Sequence, residues 1–157
     1  MTGKSHTYTA AIEWTGEKGS GTSSYRAYGR EHVIRMAGKV DIAGSADPAF
    51  RGDASKHNPE DMLVAALSTC HMLWYLHLAA DAGVIVTGYS DTATGTMVED
   101  ADRGGYFTSV TLHPVVTIAT GSDAAKANAL HADAHHKCYL ANSVNFPVEC
   151  VPEIRVA

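Results

Sequence analysis

The stretch "NPEDMLVAALSTCHMLWYLHLAADAGV", residues 58–84, decides how the rest of the chain can fold. Asn58 is a helix-capping residue and Pro59 suits a first helical turn. Glu60 and Asp61 complement the positive end of the helix dipole, and Gly83 supplies a stop. Nearly every residue between is apolar, so this is a helix that must be covered on all faces. One layer of sheet from 157 residues can hardly do that, which predicts a partner subunit. The helix also carries a thiol at Cys70, with imidazoles at His71 and His77. That thiol can be core filler, a metal ligand or a reactive group, and the three readings call for different surroundings.

Working outward, residues 8–14 alternate apolar and polar side chains as a strand does, and "TGEKGSGTSS" is the turn that follows. Residues 25–28 and 32–40 read as two further strands of a meander. "AGSADPAFRGDASKH" has no periodicity and reads as a long loop feeding the helix, the kind of segment that often carries function. Beyond the helix, residues 84–99 and 106–119 are β-rich around the hairpin loop "DADRGG". A second, Ala-rich helix starts with a cap at Ser122 and ends near Cys138. Residues 148–156 form a last strand whose Pro152 argues for a sheet edge. The order β-β-β-α-β-β-α-β predicts a single α+β domain over residues 1–157.

Composition excludes several classes. Hydrophobic residues make up 45% and charged residues 18%, a globular balance, and the net charge of −5 comes without any Lys/Arg run to track phosphates. Neither nucleic acid nor a membrane is an expected partner. The central helix approaches spanning length, but Ser68, Thr69, His71, Tyr75 and His77 lie within it and suit a protein core better than lipid. Residues 1–11 show no secretory signal. Three cysteines cannot all pair, so a cytoplasmic location with reduced thiols is expected.

The second helix adds His131, His135, His136 and Cys138. His131 and His135 share a face at i, i+4, and Cys138 follows three later, a chemically sensible zinc set without a clear fourth ligand. Solvated histidines on an Ala-rich helix are the plainer reading. Cys150, in "PVECVPEI", reads as core, and His71 as a hydrogen-bonded neighbour in the core. Ser68 and His71 lack a nucleophile elbow, and no acidic group falls at calcium-loop spacing.

"NPEDMLVAALSTC" followed by "ADAHHKC" resembles the osmotically inducible protein C / organic hydroperoxide resistance (OsmC/Ohr) superfamily, through the Glu60–Cys70 spacing, the later helical Cys138 and the element order. The resemblance implies an OsmC-like α+β fold: antiparallel sheets on a long buried helix, in an intertwined homodimer. It also implies a thiol peroxidase that reduces organic hydroperoxides without a cofactor or metal. Cys70 then corresponds to the peroxidatic cysteine, Cys138 to the resolving one, and Glu60 to a carboxylate that holds an arginine. Arg51, in the loop before Asn58, matches that arginine better than Arg30. A dithiol of lipoyl type would be the reductant. Ten residues of helix rise about 15 Å, so the Arg51–Glu60 pair is expected to serve Cys70 of the other subunit. Tyr139 stands where the hydroperoxide branch usually has Pro. The alternative within this fold is a non-enzymatic protein that binds a small ligand or a metal through His and Cys.

Overall fold

A computed structural model describes residues 3–157. Met1 and Thr2, the start of the segment read above for a secretory signal, lie outside the described residues. The chain divides into two compact units, up to residue 62 and from residue 63 onward.

The first unit is an antiparallel meander of β1 (Ala11–Trp14), β2 (His32–Arg35) and β3 (Ile42–Gly44). Three strands were expected, but residues 25–28 are not one of them. Arg30 holds that segment as a turn, donating from Nη1 to the Tyr28 carbonyl at 2.6 Å and from Nη2 to the Tyr25 carbonyl at 2.8 Å. Its guanidinium also lies over both tyrosine rings, which removes those side chains from a strand's alternation. The third strand comes instead from "IAG", in the stretch read as the start of the loop. The meander leaves apolar side chains in solvent, with Ile12 65% exposed and Trp14 43% exposed.

The loop that follows is ordered by its own short polar side chains. Asp47 accepts from the Ala49 N–H, the Ser45 hydroxyl accepts from the Asp53 N–H, and Asp53 binds Ser55 and Lys56. Arg51 closes a one-turn 3-10 helix at φ 67°, the sole non-glycine with positive φ among the described residues.

Helix α1 (Pro59–Asp81) begins as its sequence requires: the Asn58 side chain accepts from the Asp61 N–H at 2.7 Å. It ends on Gly83 at φ 73°. The Gly83 N–H reaches the Ala80 carbonyl and the Val84 N–H the Ala79 carbonyl, the paired bonds of a glycine stop. As expected of a chain this short, cover is incomplete. Only Leu67, His71, Tyr75 and Ala79, one stripe at i, i+4 spacing, are buried within the chain, and Leu73 is 63% exposed.

In the second unit three long β segments each break once, which gives six strands. These are β4 (Val86–Asp91), β5 (Thr94–Val98), β6 (Tyr106–Leu112), β7 (Pro114–Ile118), β8 (Val148–Cys150) and β9 (Glu153–Val156). They form two three-stranded sheets, β4-β7-β9 and β5-β6-β8. The sheets are mixed rather than purely antiparallel. β6 and β7 pair antiparallel with β5 and β4, and parallel with β8 and β9. A parallel third strand needs a crossover, which α2 (Ala124–Lys137) supplies. Asp123, one residue after the expected Ser122, caps it by accepting from the Lys126 N–H at 3.0 Å. β8 and β9 lie at sheet edges, as Pro152 required.

One carboxylate holds the level at which the strands break. Asp91 accepts the His113 N–H at 2.7 Å and the Ser68 hydroxyl at 2.5 Å, tying the corner between β6 and β7 to α1. On either side of it sit two apolar clusters, one around Tyr75, Val116 and Ile118, the other around Leu67, Val110 and Leu112. Asp91→Ala leaves both donors without that acceptor and is expected to lower unfolding free energy by about 1–3 kcal/mol. Urea denaturation reads this directly, with Asp91→Asn, which keeps one acceptor oxygen, losing less. Equal stability of Asp91→Ala and the parent chain would show that the corner is held by something else.

Candidate active site

Helices α1 and α2 meet antiparallel, and their facing stripes decide which polar groups touch. On α2 the buried residues are Ala127, His131 and Ala134, followed by Cys138 just past the last turn. Ala127 and Ala134 pack into the core cluster around Tyr75, Val116 and Ile118, and the polar residues of the two stripes meet in reverse order along the helices. Farthest along α1, the Tyr75 hydroxyl donates to the Ala127 carbonyl at 3.1 Å. One turn earlier His71 Nε2 meets His131 Nδ1 at 3.0 Å, and the Tyr75 ring stacks on His131 at 4.0 Å between centroids. Nearer the start of α1, Cys70 is close enough to Cys138 to influence the ionisation of its thiol.

The two sulfurs are differently placed. Cys70 is half-buried, whereas Cys138 is 1% exposed. Burial pushes the Cys138 thiol up to about 11. The Ala141 N–H, 3.5 Å from its sulfur, opposes that shift, and Cys70 adds to it both as hydrogen-bond partner and as charge. Next to this pair Trp74 packs edge-on to Tyr139 and His77, with Lys137 over its ring. Leu73, Trp74 and His77 line an apolar surface recess.

Of the predicted site residues, the structure brings Cys70 and Cys138 together. Among the described residues no ion pair joins Arg51 to Glu60; Arg51 is exposed and Glu60 half-exposed. Arg30, the other candidate, is spent on the Tyr25 and Tyr28 carbonyls. The proposed zinc set on α2 does not form: His131 faces inward while His135 and His136 face solvent.

His131 instead belongs to a cluster that sequence reasoning missed. The Cys150 sulfur, assigned to the core, lies 3.6 Å from His71 Nε2 and 3.8 Å from His131 Nδ1. Burial pulls both imidazoles down to about 4, so they are neutral at physiological pH. Burial, with the Asp91 charge adding, pushes the Cys150 thiol up to about 12. A signal existed: His71 falls on the i, i+4 stripe of Leu67, Tyr75 and Ala79, so it had to face inward and find a polar partner.

The chain belongs to the OsmC-like family: the model described as OsmC-like protein matches residues 52–153. An OsmC-like protein of unknown function from Vibrio cholerae is similar over 94% of this chain and 99% of its own, at 30% identity and a TM-score of 0.85. An organic hydroperoxide resistance protein OsmC from Legionella pneumophila shares the fold at 20% identity and a TM-score of 0.70, covering 96% and 97% of the two chains. One from Elizabethkingia anophelis does so at 18% identity and 0.69, covering 98% and 100%. No curated protein matches the chain. The family therefore includes proteins named for organic hydroperoxide resistance, and the α+β architecture is theirs.

Because only the thiolate is nucleophilic, moving a thiol from an ordinary 9.0 to about 11 cuts its reactive fraction at neutral pH about a hundredfold. Site-resolved alkylation by iodoacetamide should therefore find Cys138 slow, with a rate that keeps climbing toward about pH 11. In Cys70→Ser the climb should level off earlier, since the neighbouring thiol is gone. A Cys138 profile that levels off near 9 in both proteins would contradict this account.

Proposed function

We propose that this protein is a thiol peroxidase that reduces organic hydroperoxides to alcohols in the cytoplasm, with residues 1–157 acting as one OsmC-like domain. The observation that carries the reading is the nearness of Cys70 to Cys138, close enough to influence its ionisation, within a family fold.

Peroxide reduction draws on these two residues, and an external dithiol closes the cycle. The Cys70 thiolate attacks the O–O bond of R-OOH, forming an S–O bond, and R-O⁻ leaves and takes a proton as the alcohol. Cys70 is then a sulfenic acid. Cys138 condenses with it, releasing water and forming a disulfide that protects against further oxidation. A dithiol reductant, of lipoyl type by family resemblance, restores both thiols by exchange. Part of what holds Cys138 protonated is Cys70 itself, so conversion of Cys70 to an uncharged sulfenic acid makes its partner more acidic when it must attack. The apolar recess of Leu73, Trp74 and His77 favours an organic peroxide over hydrogen peroxide.

We assign Arg51 and Glu60 to the same reaction, as a cation that favours the Cys70 thiolate and the carboxylate that orients it. Arg51 supports this through its left-handed backbone, a conformation costly for a side-chain-bearing residue and common where geometry serves a site. Glu60 precedes Cys70 by ten residues of one helix, about 15 Å of rise, so we place the pair on Cys70 of the other subunit in a homodimer. Support for the dimer lies in what one chain leaves uncovered: Ile12 and Trp14 in the meander, and Leu73 on α1.

After one equivalent of cumene hydroperoxide, mass spectrometry should find a Cys70–Cys138 crosslink and a free Cys150. Cys70→Ser should abolish peroxide consumption. Cys138→Ser should complete one turnover and then stop as a sulfenic or over-oxidised acid. Arg51→Ala should slow the first step by about 100-fold or more, as loss of an electrostatic stabiliser does. Undiminished peroxide consumption by Cys70→Ser would end this reading.

A further inference from the structure

His71, His131 and Cys150 have no part in that chemistry, yet they form the most concentrated set of buried donor atoms in the described residues. His71 is 1% exposed and His131 4% exposed. Their ring centroids are 5.3 Å apart and the rings nearly parallel at 6°, with the facing nitrogens at 3.0 Å. Those values together place the rings edge to edge in one plane, joined by a single N–H···N bond. The outer nitrogens, His71 Nδ1 and His131 Nε2, are buried without a partner. Two imidazoles kept from water at that cost return little stability, since a pair of apolar side chains would fill the space without orphaned groups.

We propose that His71 Nε2, His131 Nδ1 and Cys150 Sγ form a zinc(II) site separate from the Cys70–Cys138 pair. The donor-atom distances are those of a vacant tetrahedral face. With Zn–N near 2.0–2.1 Å and Zn–S near 2.3 Å, two nitrogens and a sulfur on one ion stand about 3.3 Å (N–N) and about 3.6 Å (N–S) apart. The observed edges are 3.0, 3.6 and 3.8 Å. Entry of the ion breaks the N–H···N bond, and the rings tilt and part by a few tenths of an ångström.

The donors also suit the ion. Both imidazoles are neutral at physiological pH, as ligation demands. Imidazole and thiolate together are the borderline-soft set that zinc takes, and three protein ligands leave a fourth position for water or a small ligand. Binding releases one proton to solvent, from the Cys150 thiol; the imidazole that donates the N–H···N bond shifts its proton to its outer nitrogen, where the other ring already carries its own. Free of metal, that thiol resists ionisation because it is half-buried and within reach of the Asp91 charge. A divalent cation reverses both influences, since it replaces the missing solvation and is itself attracted by Asp91. The Tyr89 hydroxyl, buried without a partner, is also close enough to Cys150 for their charges to interact.

Cobalt(II) titration of the full chain tests this, because thiolate–cobalt bonds give a near-ultraviolet charge-transfer band whatever the enzyme does. One cobalt per chain with that band is expected, displaced by zinc. The Cys70→Ser/Cys138→Ser double variant should keep the band while losing peroxide consumption, which separates this proposal from the reading above. Cys150→Ala should lose the band, and Cys150→His should still bind cobalt without it. Circular dichroism checks that the variants fold. Absence of the band in the parent chain, its survival in Cys150→Ala, or its loss in the double variant would overturn the site.

Discussion

The reversed order in which α1 and α2 present their inward stripes is the constraint on which the polar contacts between the two helices depend. Ala127 and Ala134 are fully buried, and between and beyond them on the same stripe stand His131 and Cys138. Ala127 and Ala134 have no spare room in the core cluster around Tyr75, Val116 and Ile118, so a larger side chain at either would displace α2. The Cys70–Cys138 approach, the His71–His131 bond and the Tyr75–Ala127 bond would then open together. Packing therefore precedes chemistry here. The sulfurs need no attraction of their own to meet.

Within that frame Cys138 and Cys150 occupy distinct electrostatic settings. Cys138 is kept protonated by burial and by a neighbouring thiol, Cys150 by burial and by a carboxylate. The same Asp91 that tilts Cys150 toward its protonated form also accepts the Ser68 and His113 donors that fix the strand corner. Its charge thus serves architecture and the histidine–cysteine cluster at once.

How far the fold could be read beforehand depended on whether a signal was local. Asn58, Pro59, Glu60 and Gly83 act through bonds to residues a few positions away, so the limits of α1 were legible. The edge position of the last strand followed from Pro152 alone. By contrast, residues 25–28 failed as a strand because Arg30 folds back onto two carbonyls, a bond that no alternation of side chains records. Parallel pairing of β8 and β9 was also invisible, since strand direction is settled by the crossover and not by the strand's own pattern. Motif spacing singled out Cys70 and Cys138. The histidine–cysteine cluster draws on residues 71, 131 and 150, brought together by a helix, a crossover and a sheet, and short-range spacing cannot register such a meeting.

Placing Cys150 in β8 has a consequence for how the protein is made. β8 and β9 leave the ribosome after the strands they join, and β6 must wait some forty residues of synthesis for its parallel neighbour. Until then β6 and β7 present open edges and the two imidazoles face a gap where the sulfur belongs. The segment that seals the sheets is thus made only after both helices, and a nascent chain stalled just short of it would expose sticky strands and a half-built cluster.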